Sequence, residues 1–215
     1  EIEHVLAMAA TLKKERLTSD PSIMERKTGV LIFEKPSLRT RITFETAINE
    51  LGGHVVNLAS DMVQIGRRET VEDVARNLER WVHLIVARTN QHATLLKLAQ
   101  SCCVPVINAL TDTFHPCQAL AFGLTLRERV GGRRGTRVVF VGDGNNVCHS
   151  IMVLCSKLGF DFTAVSPADF APKPWIVEKC REIAKQTNAT IEVTTELAGA
   201  VARASVVYTD VWTSM

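Results

Sequence analysis

The chain has 215 residues, 46% of them hydrophobic, with 25 basic against 23 acidic side chains. That is enough apolar material for one large or two small cores, and a net charge of +2 supplies no field to recruit nucleic acid or an anionic membrane. No apolar run reaches membrane-spanning length, and the N-terminus lacks a signal-peptide layout.

The first helix carries Val5, Leu6, Met8, Ala9 and Leu12. Thr28–Phe33 is a short apolar run that reads as a buried strand. A helix is expected over 40–51, with Ile42, Phe44, Ala47, Ile48 and Leu51 at helical spacing until Gly52-Gly53 stops them. The stretch between, Phe33-Glu-Lys-Pro-Ser-Leu-Arg-Thr-Arg41, lies where a strand turns into a helix. Free backbone N–H groups and the positive end of the helix dipole collect at such a turn and hold anions. Ser37 and Thr40 add hydroxyls, and Arg39 adds a planar fork suited to phosphate oxygens. An ordinary N-cap with two solvated arginines would also produce this pattern. Two arginines at a helix N-terminus oppose the dipole, however, and an anion between them resolves the conflict.

A strand follows at 54–58, then a polar loop over 60–68. A helix over 70–82 is expected to pack Val71, Val74, Leu78, Trp81 and Val82. Further strands read at 83–87 and 104–107, with helices at 92–101 and 118–130. Gly131-Gly-Arg-Arg-Gly135 is the best boundary, dividing the chain into domains 1–130 and 131–215. The second series places strands at 137–141, 162–165, 190–193 and 205–208, with helices at 147–158, 174–187 and 195–203. Such alternation implies an α/β fold of two parallel-sheet domains with helices on both faces. Ligands then bind at the carboxyl ends of strands, where Ser37, Arg88, His115, Asn146 and Asp210 all fall.

His115 precedes a helix opened by Pro116, where it can donate to a developing oxyanion, while Gln118 can hold an amide by donating and accepting at once. A capping histidine beside a surface glutamine is the equal alternative on chemistry alone. Gly142-Asp-Gly-Asn-Asn146 imitates a dinucleotide fingerprint but has Val147 where the third glycine belongs, and no acid ends the next strand. Asp210, beside hydroxyls at a strand end, suits a cationic amine, although a loop-capping aspartate is equally ordinary. The six cysteines (Cys102, Cys103, Cys117, Cys148, Cys155 and Cys180) include no Cys-x-x-Cys pair and no zinc spacing with a histidine pair. Their scatter fits reduced thiols in the cytoplasm. The chain opens within a helix and stops abruptly at Trp212-Thr-Ser-Met215, so it reads as a piece of a longer protein.

Phe33-Glu-Lys-Pro-Ser-Leu-Arg-Thr-Arg41 resembles the carbamoyl-phosphate signature of the aspartate/ornithine carbamoyltransferase family, with Leu38 where that family usually has Thr. His115-Pro-Cys-Gln118 resembles its His-Pro-x-Gln motif. Gln64-Ile-Gly-Arg-Arg-Glu69, Val141-Gly-Asp-Gly-Asn-Asn146 and Asp210-Val-Trp-Thr-Ser-Met215 resemble its ornithine branch. Phe122 stands where the family usually has an acid. The resemblance covers essentially the whole chain and implies transfer of a carbamoyl group from carbamoyl phosphate to the δ-amine of ornithine. It implies that carbamoyl phosphate sits on Ser37, Leu38, Arg39, Thr40, Arg88, His115 and Gln118, with Gln64 serving a neighbouring subunit's site. Arg39, Thr40, Arg88 and His115 would be catalytic, and Leu110, Asn146, Asp210, Ser214 and Met215 would hold ornithine. No metal or organic cofactor is expected, because carbamoyl phosphate is already activated. A homotrimer, or a multiple of one, is implied, as is a role in arginine metabolism. The family's Cys-Leu motif and late arginine do not occur before Met215, so these 215 residues alone are expected to be inactive. Alternatives are a sibling enzyme acting on N-acetylornithine or aspartate, a non-catalytic carbamoyl-phosphate-binding paralogue, and a nucleotide-binding oxidoreductase.

Overall fold

The computed structural model describes residues 1–16, 18, 21–59 and 69–211. They form two compact units, one of Thr11–Asp112 and one of Glu1–Ala10 with Thr113–Met215.

In the Thr11–Asp112 unit, strands β1 (Thr28–Phe33), β2 (His54–Ala59), β3 (Leu84–Arg88) and β4 (Val106–Leu110) form a parallel sheet in the order β2-β1-β3-β4. Val30, Leu31, Ile85 and Val86 are fully buried, as expected of parallel strands covered on both faces. Helix α2 (Leu38–Glu50) covers one face through Phe44 and Ile48. Helices α3 (Val71–Leu78) and α4 (His92–Ser101) cover the other through Val71, Val74, Leu78, Leu95 and Leu98. The approach of α2 is close: a Cβ on Gly29 would lie 2.8 Å from Ile48 Cδ1.

Two expectations shift here. The α3 stripe stops at Leu78, and the next residues turn, with Trp81 N–H and Val82 N–H both donating to the Leu78 carbonyl. Trp81 is therefore 70% exposed, and Val82 alone returns to the core. Strand β4 also starts two residues later than its apolar run. Pro105 has no N–H for the ladder, and its carbonyl accepts from Ile85 as the strand enters. A register shift between Ala87 and Arg88 places Leu110, at the end of β4, opposite Arg88.

In the other unit, strands β5 (Arg137–Val141), β6 (Asp161–Val165), β7 (Ile191–Thr194) and β8 (Val206–Thr209) run parallel in the order β7-β6-β5-β8. Helices α5 (Pro116–Val130), α6 (Asn146–Leu158) and α7 (Pro174–Thr187) pack on one face around Phe140, Phe162, Ile151 and Met152. The short helix α8 (Leu197–Val201) covers the other face, where Val139, Val165 and Ala200 are buried together. Leu6 of helix α1 (Ile2–Lys14) shares the larger core with Phe122 and Leu126 of α5. Packing therefore groups α5 and residues 1–10 with the second sheet, whereas the glycine-rich break expected as the boundary falls after α5.

Candidate functional site

In parallel register, Phe33 at the end of β1 lies beside Arg88 at the end of β3, and Glu34 N–H donates to the Arg88 carbonyl at 2.9 Å. The chain then reaches Ser37, the extended N-cap of α2. Its side chain does not cap the helix; Ser37 Oγ instead accepts from Arg88 Nη1 at 3.1 Å. No acid lies in the first turn, so the positive end of α2 is left unneutralised. Arg88 is half-buried and has no carboxylate partner among the described residues, and its Nε is buried without a hydrogen bond. Burial alone pulls its pKa below the ordinary arginine value. An anion would supply the missing acceptor and countercharge together.

Thr40 lies in the first turn of α2, and its carbonyl and that of Arg39 accept from Thr43 Oγ1. Arg39 is exposed, and its guanidinium has no partner among the described residues. Leu38 is 76% exposed, so the departure from threonine leaves the backbone at the helix start open. The pair of arginines does not act as a pair. Arg41 Nε donates to Asn57 Oδ1 at 3.1 Å, and Asn57 Nδ2 in turn donates to Glu45. Arg41 is thereby tied to the edge strand β2, while Arg39 stays exposed.

The other unit gathers His115, Gln118, Asn146 and Asp210. His115 is the N-cap of α5, followed by Pro116 at the first helical position, and its backbone N–H donates to Ser150 Oγ at 2.7 Å. Ser150 Oγ donates onward to the Asn146 carbonyl at 2.8 Å, so one buried hydroxyl joins the starts of α5 and α6. Asn145 caps α6 by accepting from Val147 and Cys148 N–H, and its Nδ2 donates to Asp210 Oδ2 at 3.4 Å. Gln118 Nε2 donates to the Tyr208 hydroxyl at 2.8 Å.

His149 is 2% exposed and works structurally. Its Nδ1 contacts the Thr113 carbonyl at 3.0 Å, and its Nε2 accepts from Lys173 N–H at 3.1 Å. Those partners require the neutral ring with hydrogen on Nδ1. Burial lowers its pKa, and the Lys173 charge adds to the effect. Gly144, the second glycine of the fingerprint-like loop, also has a packing role. A Cβ there would stand 2.2 Å from Pro172 N, so the glycine admits the neighbouring backbone rather than a dinucleotide.

The residues singled out from the sequence thus divide between the units. Ser37, Leu38, Arg39, Thr40, Arg88 and Leu110 belong to one, and His115, Gln118, Asn146 and Asp210 to the other. Gln64, Ser214 and Met215 lie outside the described residues. Ser150 caps and packs, as expected of it from the sequence, while Asn145 and Tyr208 are supporting residues that sequence reasoning missed. Only Asn145 had a local signal, as a capping residue type just before a helix.

Fold and site define an α/β protein that offers an anion a helix N-terminus and a half-buried arginine at parallel strand ends. Residues 1–128 match the carbamoyl-P binding domain of aspartate/ornithine carbamoyltransferases, and residues 134–215 match the Asp/Orn binding domain. The chain belongs to the aspartate/ornithine carbamoyltransferase family. It is 49% identical to the ornithine carbamoyltransferase of Acidothermus cellulolyticus over 98% of this chain and 67% of that relative. Against the Anoxybacillus flavithermus ornithine carbamoyltransferase it is 44% identical, over 100% of this chain and 69% of the relative. The solved ornithine carbamoyltransferase from Pyrococcus furiosus superposes with a TM-score of 0.96 at 41% identity, covering 99% of this chain and 68% of that one.

Proposed function

We propose that this chain carries out carbamoyl transfer from carbamoyl phosphate to the δ-amine of L-ornithine, giving citrulline and phosphate. The observation that carries the reading is Arg88, half-buried beside Ser37 at the uncapped start of α2 with its Nε unpaired. Membership of the family and the ornithine carbamoyltransferases among its relatives support the acceptor.

In this reading the phosphate rests on the backbone of Ser37 to Thr40 and on Arg39, with Gln64 completing it from a neighbouring subunit. Gln118 binds the carbamoyl amino group. Asn146, Asp210 and Ser214 hold the amino-acid end of ornithine, while Leu110 and Met215 line its chain. The neutral δ-amine adds to the carbamoyl carbon. Arg88, His115 and Thr40 stabilise the charge on the oxygen of the tetrahedral intermediate. The C–O bond to phosphate then breaks, an N–H proton is released, and Arg39 with the helix terminus stabilises the departing phosphate. Positioning and electrostatics supply the acceleration. Residues 1–130 form the carbamoyl-phosphate domain and residues 131–215 the ornithine domain, with Leu110 the one residue of the first that serves ornithine.

The reading extends to a cytoplasmic, homotrimeric enzyme of arginine metabolism. The six unpaired cysteines favour a reducing compartment, and the family resemblance supports the assembly. Among the described residues no helix is long and apolar enough to cross a membrane. The experiment is a comparison of ornithine, N-acetylornithine and aspartate as acceptors with the full-length protein. Turnover with ornithine alone is expected. Turnover with another acceptor would transfer the protein to that sibling activity, and binding of carbamoyl phosphate without turnover would make it a non-catalytic paralogue.

A further inference from the structure

We propose that Tyr208 is a positioning residue for Gln118: its hydroxyl engages Gln118 Nε2, so that Oε1 stays free to accept from the amino group of the carbamoyl substrate. The inference rests on the assignment of Gln118 to that group.

Tyr208 is the chain's single tyrosine. It lies on β8, in register with Phe140 of β5, and the two rings stack at 5.8 Å. Phe122, one turn beyond Gln118 on α5, meets the same ring edge-on at 4.9 Å. The phenol is therefore fixed between the sheet and α5, with little freedom left in its two torsions. Gln118 stands in the first turn of α5, half-buried, and reaches that fixed hydroxyl at 2.8 Å.

An unrestrained glutamine amide can turn over, presenting donor or acceptor to a ligand with similar ease. A carbamoyl group presents both a donor NH2 and an acceptor oxygen, so an amide free to turn would present the wrong pole part of the time. The bond to Tyr208 anchors the amide at one end, and with Nε2 so engaged it is Oε1 that is left for the carbamoyl amino group. Phe122, at a place where the family usually has an acid, contributes the ring that braces Tyr208.

Tyr208→Phe tests this cleanly, since it keeps the ring and its packing and removes only the hydroxyl. In the full-length protein, we expect kcat/KM for carbamoyl phosphate to fall about 3- to 10-fold, the size of one neutral hydrogen bond. The KM for ornithine and the thermal midpoint should stay unchanged. Gln118→Ala should lose more, and adding Tyr208→Phe to it should cost nothing further, because the two act as one unit. Additive losses in the double variant would overturn the proposal, as would a change confined to the ornithine KM, which would mean that Tyr208 acts through Asp210 on the same strand end. If Gln118→Ala leaves carbamoyl-phosphate kinetics intact, the assignment of Gln118 fails and the proposal falls with it. Loss with Gln118→Ala but none with Tyr208→Phe would overturn the proposal alone.

Discussion

Replacing Arg88 with methionine should separate activity from stability. In the wild type the guanidinium donates from Nη1 to Ser37 at 3.1 Å, while its buried Nε has no acceptor. Burial disfavours its charge, and no carboxylate offsets that among the described residues. Methionine lays an unbranched apolar chain along the same path. Losing a hydrogen bond made by a charged donor costs about 1.5–3 kcal/mol, whereas relieving an unsatisfied buried polar group returns about 1–3 kcal/mol. The two nearly cancel, so the unliganded protein should change in stability by no more than about 1 kcal/mol. Activity has no such compensation. Removing one donor to a developing oxyanion lowers kcat by about 10²–10³. Urea unfolding without substrate and initial rates of citrulline formation measure the two quantities on the same preparation. A variant that unfolds more than about 3 kcal/mol sooner, or that keeps its rate within a few-fold, would refute the reasoning and make Arg88 a structural residue.

Two further substitutions probe the supports of the second unit. Ser150→Ala leaves the His115 N–H without its 2.7 Å acceptor in a buried place; about 1–3 kcal/mol of stability should be lost, together with kcat, and Ser150→Thr should restore both. Equal rates in serine and alanine proteins would show that the His115 turn holds its geometry unaided. His149 predicts a pH dependence. Its folded pKa lies below the ordinary 6.5, so the unfolded chain binds more protons, and its contribution to stability is present above 6.5 and is lost as pH falls below that value. The physical reason is first that burial disfavours the charged ring, and then that a second ring proton would confront Lys173 N–H at Nε2. Urea midpoints followed from pH 7 down to about 5 should fall less steeply in His149→Gln, which does not titrate there; parallel curves would dismiss the role of His149.

Much of the first unit was legible because its signals are local. The apolar run 28–33 reads as a buried strand from its own residues, and the residues after it carry their chemistry within one turn of helix. Local reading failed where a partner is distant in sequence. Arg41 looked like half of an anion clamp until Asn57 of β2 engaged it. Trp81 fitted the helical stripe, but the turn needed to start β3 came first. Tyr208 and Gln118 are separated by 90 positions, and nothing near either one points to the other.

Transfer itself, followed with isotope-labelled carbamoyl phosphate and ornithine, is the most direct measurement, made on the full-length wild type and on Arg39→Ala. Arg39 is a first-turn cation of α2 with no partner among the described residues, and the proposed mechanism gives it to the departing phosphate. Label should appear in citrulline in step with released phosphate, and the variant should be slower by at least about 10²-fold. Phosphate released without citrulline, or a variant as fast as the wild type, would contradict the central claim that this helix start is where carbamoyl phosphate reacts.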